Sequence, residues 1–278
     1  MAYKSVFTVI TENDAEKIVL DNAVTVAVEQ DAHLDVLCLG IDRSQIGYYY
    51  PGENALILQE AIDSALAESA RIEETVKAAM MGAELRWSSE ADVTQLGDIG
   101  RHVGWRARFA DLVVLPKPYG KDRLTEHEQI TEACLFEGRA PILILPAQST
   151  PEALQTPLIA WNETPEALAA VRAALPLLQQ ARDVHIVVID PPVHGPTRSD
   201  PGGLLATWLS RHGVSAQIEV LAKTMPHVSD QISRHAQDIS ADLIVMGGYG
   251  HSRFRQAILG GATRNMLEST ELPIFLAH

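Results

Sequence analysis

Glycines near the end of the chain are spaced in a way that suits the binding of an anion. Residues 246–267, MGGYGHSRFRQAILGGATRNML, contain one cluster from Gly247 to Gly250 and a second at Gly260 and Gly261. Successive glycines let backbone N–H groups approach a phosphate, and the N-terminus of a following helix adds a favourable dipole. A plain turn is the alternative, because neither the Walker pattern nor the dinucleotide pattern G-x-G-x-x-G is present.

The same segment contains Gly250-His251-Ser252, which is part of the nucleophile elbow G-x-S-x-G of esterases. That elbow needs glycine two residues after the serine, because its turn leaves no room for a Cβ, and this chain has Phe254. The elbow also follows its strand directly, whereas a glycine-rich stretch intervenes here. We therefore predict no nucleophile at Ser252 and no other catalytic residue.

The elements that position this segment alternate between apolar strands and helices. In the second half of the chain we expect strands at PLIAW, VHIVVID, AQIEVL, DLIVMG and PIFLAH. Thr164-Pro165-Glu166 opens the first helix with an N-cap, an N1 proline and an acidic first turn. Strands without strict alternation, separated by helices, predict a parallel sheet that is buried on both faces. The glycine segment follows the fourth strand, so it lies at the carboxyl edge, where such sheets bind ligands.

The chain repeats this plan, which predicts two domains. ADLVVLPKPYG at Ala110–Gly120 matches ADLIVMGGYG at Ala241–Gly250, and the stretch Pro146–Pro157, PAQSTPEALQTP, has the composition of a linker. A length of 278 residues also suits two domains. We expect an α/β fold of two tandem doubly wound open-sheet domains, residues 1–148 and 155–278. Each should contain a five-stranded parallel sheet.

In the first half we expect strands at SVFTVI, LDVLCLG, AELRWS, DLVVLP and PILILP. AELRWS covers Ala83–Ser88, and a helix should follow from Asp92 to Arg108. The two cysteines, Cys38 and Cys134, lie in a strand-like and a helix-like run without a second cysteine at metal or redox spacing. We expect both to be buried, reduced packing residues.

Composition excludes some partners. The formal net charge is −14, which disfavours non-specific contact with nucleic acid or anionic lipid. No apolar run reaches the length of a membrane-spanning helix, and the first residues lack the apolar core of a signal peptide. We expect a cytoplasmic protein with no nucleic-acid or membrane partner.

The spacing of the glycine segment resembles the nucleotide loop of the universal stress protein family, whose pattern is G-x2-G-x9-G-[S/T]. The resemblance extends to LIAWNETPEALAAVRAALPLL, to ADLIVMG and to LPIFLAH, and more weakly to the first half of the chain. It implies a Rossmann-like fold of the adenine nucleotide alpha hydrolase type. It also implies an intramolecular pseudo-dimer, since single-domain members pair through their terminal strands; here those would be PILILP and LPIFLAH.

The resemblance further implies an ATP or AMP site in the second domain. Gly247 and Gly250 would line the approach to ribose and phosphate, and Val188 would face adenine through its backbone. Gly260 and the residue after it would bind phosphate oxygens, and Asn162 would contact the base or the ribose. The implied nucleotide-binding residues are Asn162, Val188, Gly247, Gly250, Gly260, Gly261 and Thr263.

Two of these positions depart from the family pattern. Gly261 stands where serine or threonine is expected, so the hydroxyl contact is lost unless Thr263 supplies it. Asn162 replaces an aspartate and offers amide donors beside one acceptor. In the first domain Pro116 and Pro118 stand in the corresponding loop, and proline has no N–H to give to an anion. We expect that domain to have lost the site.

No metal site is predicted, apart from Mg²⁺ that accompanies ATP. His185 lies in a strand and His227 and His235 on one helix, but they form no recognisable ligand set. The residues that could balance phosphate charge or form a solvated rim, with the sequence leaving both open, are His251, Arg253, Arg255 and Arg264.

The resulting hypothesis is a tandem universal stress protein that acts in the cytoplasmic stress response by binding and regulation. It would hold ATP or AMP in the second domain, without a catalytic cycle beyond weak ATP hydrolysis. One alternative is a stress protein that binds no nucleotide and acts through protein partners, and another is a slow nucleotide hydrolase. Expected partners are a regulatory protein and a second copy of the chain in a homodimer.

Overall fold

The computed structural model describes residues 2–11, 16–44, 54–120, 123–147, 149, 154–191, 199–248 and 261–278. The chain divides into two compact units, an N-terminal unit, Ala2–Ala140, and a C-terminal unit, Pro141–His278.

The N-terminal unit alternates strands and helices. Its elements are β1 (Ser5–Ile10), α1 (Glu16–Glu29), β2 (His33–Asp42), α2 (Asn54–Ala79), β3 (Trp87–Gln95), α3 (Ile99–Ala107), β4 (Leu112–Pro116) and α4 (Thr125–Glu132). The strands are ordered β3-β2-β1-β4, and the pairs β2–β3, β1–β2 and β1–β4 are parallel. Because the order reverses beside β1, the carboxyl ends of β1 and β4 border the crevice in which such a sheet binds ligands.

The C-terminal unit has the same plan with one additional strand. Its elements are β5 (Ile142–Leu145), β6 (Pro157–Ala160), α5 (Pro165–Leu178), β7 (Val184–Ile189), α6 (Gly203–Arg211), β8 (Ala216–Leu221), α7 (Val228–Asp238), β9 (Leu243–Gly247), α8 (Ala262–Ser269) and β10 (Ile274–Ala277). The order is β5-β10-β9-β6-β7-β8. Strands β6 to β10 are parallel, as predicted, and β5 pairs antiparallel with β10. The predicted pairing of PILILP with LPIFLAH is confirmed.

Apolar strands form the core of both units. Every residue of β4, β5 and β10 is buried, and Phe275 is fully buried. These continuous apolar runs are typical of strands that are covered on both faces. Cys38 and Cys134 are free and buried, as predicted, and burial raises the pKa of the Cys38 thiol to about 12.

The repeated Ala-Asp-Leu motif has the same structural role in each unit. Asp111 accepts hydrogen bonds from the backbone N–H groups of Lys4 and Ser5, at 2.8 and 3.1 Å. Asp242 accepts hydrogen bonds from the backbone N–H groups of Gln155 and Thr156, at 2.6 and 2.9 Å. In each unit the aspartate before the fourth parallel strand therefore fixes the start of the first.

The third strand of the N-terminal unit corrects a prediction. We expected it at Ala83–Ser88 with a helix from Asp92, but β3 continues to Gln95 and the helix begins at Ile99. Most β3 residues are exposed or half-buried, because β3 pairs with β2 alone among the described strands. Its sequence, WSSEADVTQ, is polar because this edge is open, and for that reason the sequence pattern does not distinguish the strand from an exposed helix.

Candidate functional site

The switch point of the C-terminal sheet brings two of the predicted residues to one edge. Strands β6 and β9 are parallel neighbours, with Ala160 beside Met246 at their carboxyl ends. Asn162 follows β6 and Gly247 ends β9. The crevice beyond these ends is the usual ligand position in a doubly wound sheet.

Asn162 is exposed, and its side chain shapes the turn into helix α5. Its Oδ1 accepts hydrogen bonds from the backbone N–H and the hydroxyl of Thr164, at 3.3 and 2.9 Å. No described residue accepts a hydrogen bond from the Asn162 amide nitrogen. A ligand at this edge therefore meets amide donors where an aspartate would present a second carboxylate oxygen.

Thr164 caps α5 as predicted. Its hydroxyl oxygen accepts a hydrogen bond from the Ala167 N–H at 3.2 Å, and Pro165 and Glu166 occupy the first turn. Helix α8 begins differently, with Gly261 as its N-cap and no capping hydrogen bond from a side chain in the described part of the chain. Among the described residues, α8 thus lacks the side-chain cap that Thr164 provides for α5.

Gly247 is required by packing, whatever it binds. A Cβ at this position would lie 2.6 Å from the Ala167 nitrogen and 2.7 Å from the Glu166 carbonyl carbon. Both are backbone atoms of α5 and cannot move aside as a side chain would. The next residue, Gly248, donates its N–H to the Ala277 carbonyl at 2.8 Å, which ties the end of β9 to β10.

The remaining predicted residues are placed less directly. Val188 lies in β7 with its side chain 3% exposed, and a Cβ on Gly202 would contact it at 3.6 Å. Thr263 is buried in the first turn of α8. Gly250 and Gly260 lie outside the described residues.

A cavity that the sequence did not reveal adjoins this edge. Its volume is about 560 Å³, and it lies between α5 and α6, beside the turn that follows β6. Apolar side chains dominate the lining, and two of them are tryptophans. The lining residues on which the site depends are Trp161, Thr164, Leu168, Leu205 and Trp208. Trp161 follows β6 directly, but no sequence pattern connects it with Trp208, which lies on α6.

The N-terminal unit fills the corresponding edge with its own side chains. Strand register places Thr11 where the C-terminal unit has Asn162, and Pro116 where it has Gly247. Thr11 is completely buried, and Pro116 is buried. Arg43 follows β2 and donates hydrogen bonds to Glu126 of α4 at 2.7 Å and to Glu68 of α2 at 3.4 Å. Arg43 therefore links the end of β2 to α2 and α4 through two ion pairs.

Two histidines for which the sequence indicated no metal-ligand set contact one carboxylate. His185 of β7 lies 2.7 Å from one oxygen of Glu219, and His235 of α7 contacts the other. Register explains the first contact, because β7 and β8 place these residues on the same face. In the described ranges, however, no group of three or more His, Cys, Asp or Glu side chains is arranged to hold a metal ion.

Over the described segments, the helices fall short of the length and apolar character that a membrane span requires.

Comparison with known proteins identifies the C-terminal half. The family model "Usp: Universal stress protein family" matches residues 155–278. The universal stress protein Slr1230 of Synechocystis sp. is 31% identical over 96 residues, which cover 33% of this chain. The matched segment spans 31% of the length of that curated relative.

Solved structures extend the likeness of fold to the whole chain. A universal stress protein from Archaeoglobus fulgidus aligns with a TM-score of 0.72 at 14% identity, over 98% of this chain and 95% of that one. A functionally unknown protein from Pseudomonas aeruginosa aligns with a TM-score of 0.60 at 15% identity, over 99% of this chain and 92% of that one.

Proposed function

We propose that the chain is a tandem member of the universal stress protein family, whose family model matches residues 155–278. It would bind ATP or AMP in its C-terminal unit and act without a catalytic cycle. It would serve the cytoplasmic stress response as a nucleotide-dependent partner of a regulatory protein. The observation that carries the proposal is the apolar cavity of about 560 Å³ beside Asn162, at the carboxyl edge of β6.

The apolar lining supports an adenine base. Trp161 and Trp208 offer aromatic surface, and Leu168 and Leu205 complete an apolar wall. An adenine ring gains from stacking on such surfaces, and it also presents acceptors to nearby donors. Asn162 lies in the chain between Trp161 and Glu163, which both line this cavity, and an amide group can donate to ring nitrogens or ribose hydroxyls.

The start of α8 supports the phosphate end of the ligand. Gly261 has no side chain to cap α8, and the dipole of a helix favours negative charge at its N-terminus. Mg²⁺ would accompany the phosphates of ATP.

Calorimetry with a matched pair of glycine variants tests this proposal on the full chain. Gly261→Asp caps α8 and so keeps the helix, but it places a carboxylate where the phosphates would lie. Gly97→Asp adds the same charge to the N-terminal unit, at a position where a Cβ meets nothing within 4 Å.

We expect ATP to bind the native chain and the Gly97→Asp variant alike, and the affinity of Gly261→Asp to fall at least about tenfold, which corresponds to about 1.4 kcal/mol. Gly261→Ser should strengthen binding, because it adds the hydroxyl that the family pattern expects. The absence of binding at millimolar ATP, or equal affinities for both aspartate variants, would disprove the nucleotide site. Bound ATP should be recovered unchanged by mass spectrometry; ADP formation that Gly261→Asp abolishes would instead establish a hydrolase.

A further inference from the structure

A second cavity lies in the N-terminal unit, away from the carboxyl edge of its sheet. Its volume is about 360 Å³, and it opens on the amino-terminal halves of β1, β2 and β3 and on the end of α3. We call it the aromatic cavity, and the side chains on which it depends are Asp35, Ser88, Glu90, Trp105, Arg106 and Phe109. Register confirms that the strand residues share one face, since Asp35 pairs with Ser88 and the next pair on that face contains Glu90.

The wall of this cavity is an exposed aromatic pair. Trp105 and Phe109 are 58% and 72% exposed, which is unusual for side chains of this size. Their ring centroids are 5.7 Å apart and their planes form an angle of 72°, so one ring presents its edge to the face of the other. Aromatic rings left in solvent beside a cavity offer both apolar area and negative π-faces to a ligand.

The floor of the cavity carries excess negative charge. Arg106 is the permanent cation in the lining, and it donates hydrogen bonds to both oxygens of Glu90 and to Asp92. Hydrogen bonding to Glu90 raises the pKa of Arg106, so its charge is held on those two carboxylates. Asp35 accepts a hydrogen bond from Ser88, and its neighbour His33 lies 3.4 Å away. Two carboxylates thus contact the permanent cation of the lining, and Asp35, a third carboxylate, lies on the same face of the sheet.

The corresponding face of the C-terminal unit lacks both features. Register places Glu219 at the position of Glu90, and there His185 and His235 contact the carboxylate. The matching Ala-Asp-Leu motifs place Ala236 and Ser240 where the N-terminal unit has Trp105 and Phe109. The exposed aromatic pair and the acidic residues beside it are therefore features of the N-terminal unit.

We propose that the aromatic cavity binds a small organic cation, an aliphatic amine or guanidine with a hydrocarbon stem. The stem packs on Trp105 and Phe109, and the cationic group lies between the aromatic faces and the carboxylate of Asp35. Cation–π attraction and the nearby carboxylate both stabilise such a ligand, whereas an anion or a neutral alkane gains nothing from the carboxylate. The site is separate from the nucleotide crevice and does not depend on it.

Titration calorimetry of the full chain with n-hexylamine, and with hexan-1-ol as its neutral counterpart, tests the site. We expect n-hexylamine to bind and hexan-1-ol to bind at least tenfold more weakly. Equal affinity for the two probes, or no binding of n-hexylamine up to millimolar concentration, would overturn the proposal.

Variants test whether n-hexylamine binds in the aromatic cavity or is attracted only by the net negative charge of the protein. Trp105→Ala and Asp35→Asn should each weaken n-hexylamine binding at least tenfold, whereas Trp105→Phe should retain most of it. Asp98→Asn removes an equally accessible carboxylate of the same unit, which pairs with Arg101, and should change binding less than twofold. If Asp98→Asn weakens binding as much as Asp35→Asn, or if Trp105→Ala has no effect in a variant with native circular dichroism, the cavity is not the site.

Discussion

The two carboxyl-edge crevices of this chain lie at equivalent positions in their sheets but are lined by residues of different character. Among the described residues of the C-terminal unit, an exposed Asn162, a terminal Gly247 and an adjoining cavity lie at this edge. In the N-terminal unit a buried Thr11 and a buried Pro116 occupy the corresponding positions. Beside them lies the Arg43 ion-pair group, which joins the end of β2 to α2 and α4.

The difference shows that the scaffold and the ligand edge are supported by different residues. Asp111 and Asp242 anchor the first strand of each unit in the same manner, so the sheets keep their geometry. At the edge, by contrast, the N-terminal unit pairs Arg43 with two carboxylates, whereas in the C-terminal unit the amide nitrogen of Asn162 donates to no described residue.

The largest effect on stability is expected at Gly247. Gly247→Ala introduces a Cβ within 2.7 Å of two backbone atoms of α5, and we expect the free energy of unfolding to fall by about 3 kcal/mol. Gly97→Ala, where a Cβ meets nothing within 4 Å, is the control and should change it by less than about 0.5 kcal/mol. Urea denaturation measures both. A loss no larger than the control would show that packing does not require glycine at this position.

The ion-pair group of the N-terminal unit should produce the next largest effect. Arg43→Met removes the guanidinium from Glu126 and Glu68, whose side chains are only 4% and 10% exposed. We expect a loss of about 2 kcal/mol, below the 3–5 kcal/mol of a fully buried pair, because the Arg43 side chain is 35% exposed.

The double variant Arg43→Met/Glu126→Gln should recover part of that loss, since it also removes the buried charge. Arg264→Met, which breaks an exposed pair with Glu268 in the C-terminal unit, is the control and should cost about 0.5 kcal/mol or less. Equal losses for the two arginine variants in thermal unfolding would show that the N-terminal edge is not closed by this group.

The smallest effects should be the same in both units. Asp111→Ala and Asp242→Ala each remove hydrogen bonds to two backbone N–H groups, and each should lower the free energy of unfolding by about 1–2 kcal/mol. Asp21→Ala, at an exposed position of α1, serves as the control. A marked effect in one unit only, measured by denaturation of the full chain, would show that the two motifs do not share a role.

Much of the fold could be predicted because its signals are local. Apolar strands such as LVVLP and LIVMG can be recognised from their composition. Thr164-Pro165-Glu166 likewise indicates the start of α5 within three residues. Strand β3 was misplaced because an edge strand with one open side carries polar residues that resemble an exposed helix. Its position depends on pairing with β2, which no local pattern reveals.

The candidate site was less predictable because its parts are distant in the chain. The topology places Asn162 and Gly247 at one edge, and a sequence pattern can foresee that. The cavity between α5 and α6 depends on how the two helices pack, so the meeting of Trp161 and Trp208 had no sequence signal. Arg43 and Glu126 are 83 residues apart and likewise meet only in the folded unit.

The most direct test of the account is photoaffinity labelling of the full chain with 2-azido-ATP, followed by mass-spectrometric mapping of the labelled peptides. The account predicts labelling that excess ATP prevents and that falls within residues 154–278, with the N-terminal unit unlabelled. Competable labelling of peptides within residues 2–140, or the absence of any competable labelling, would contradict it.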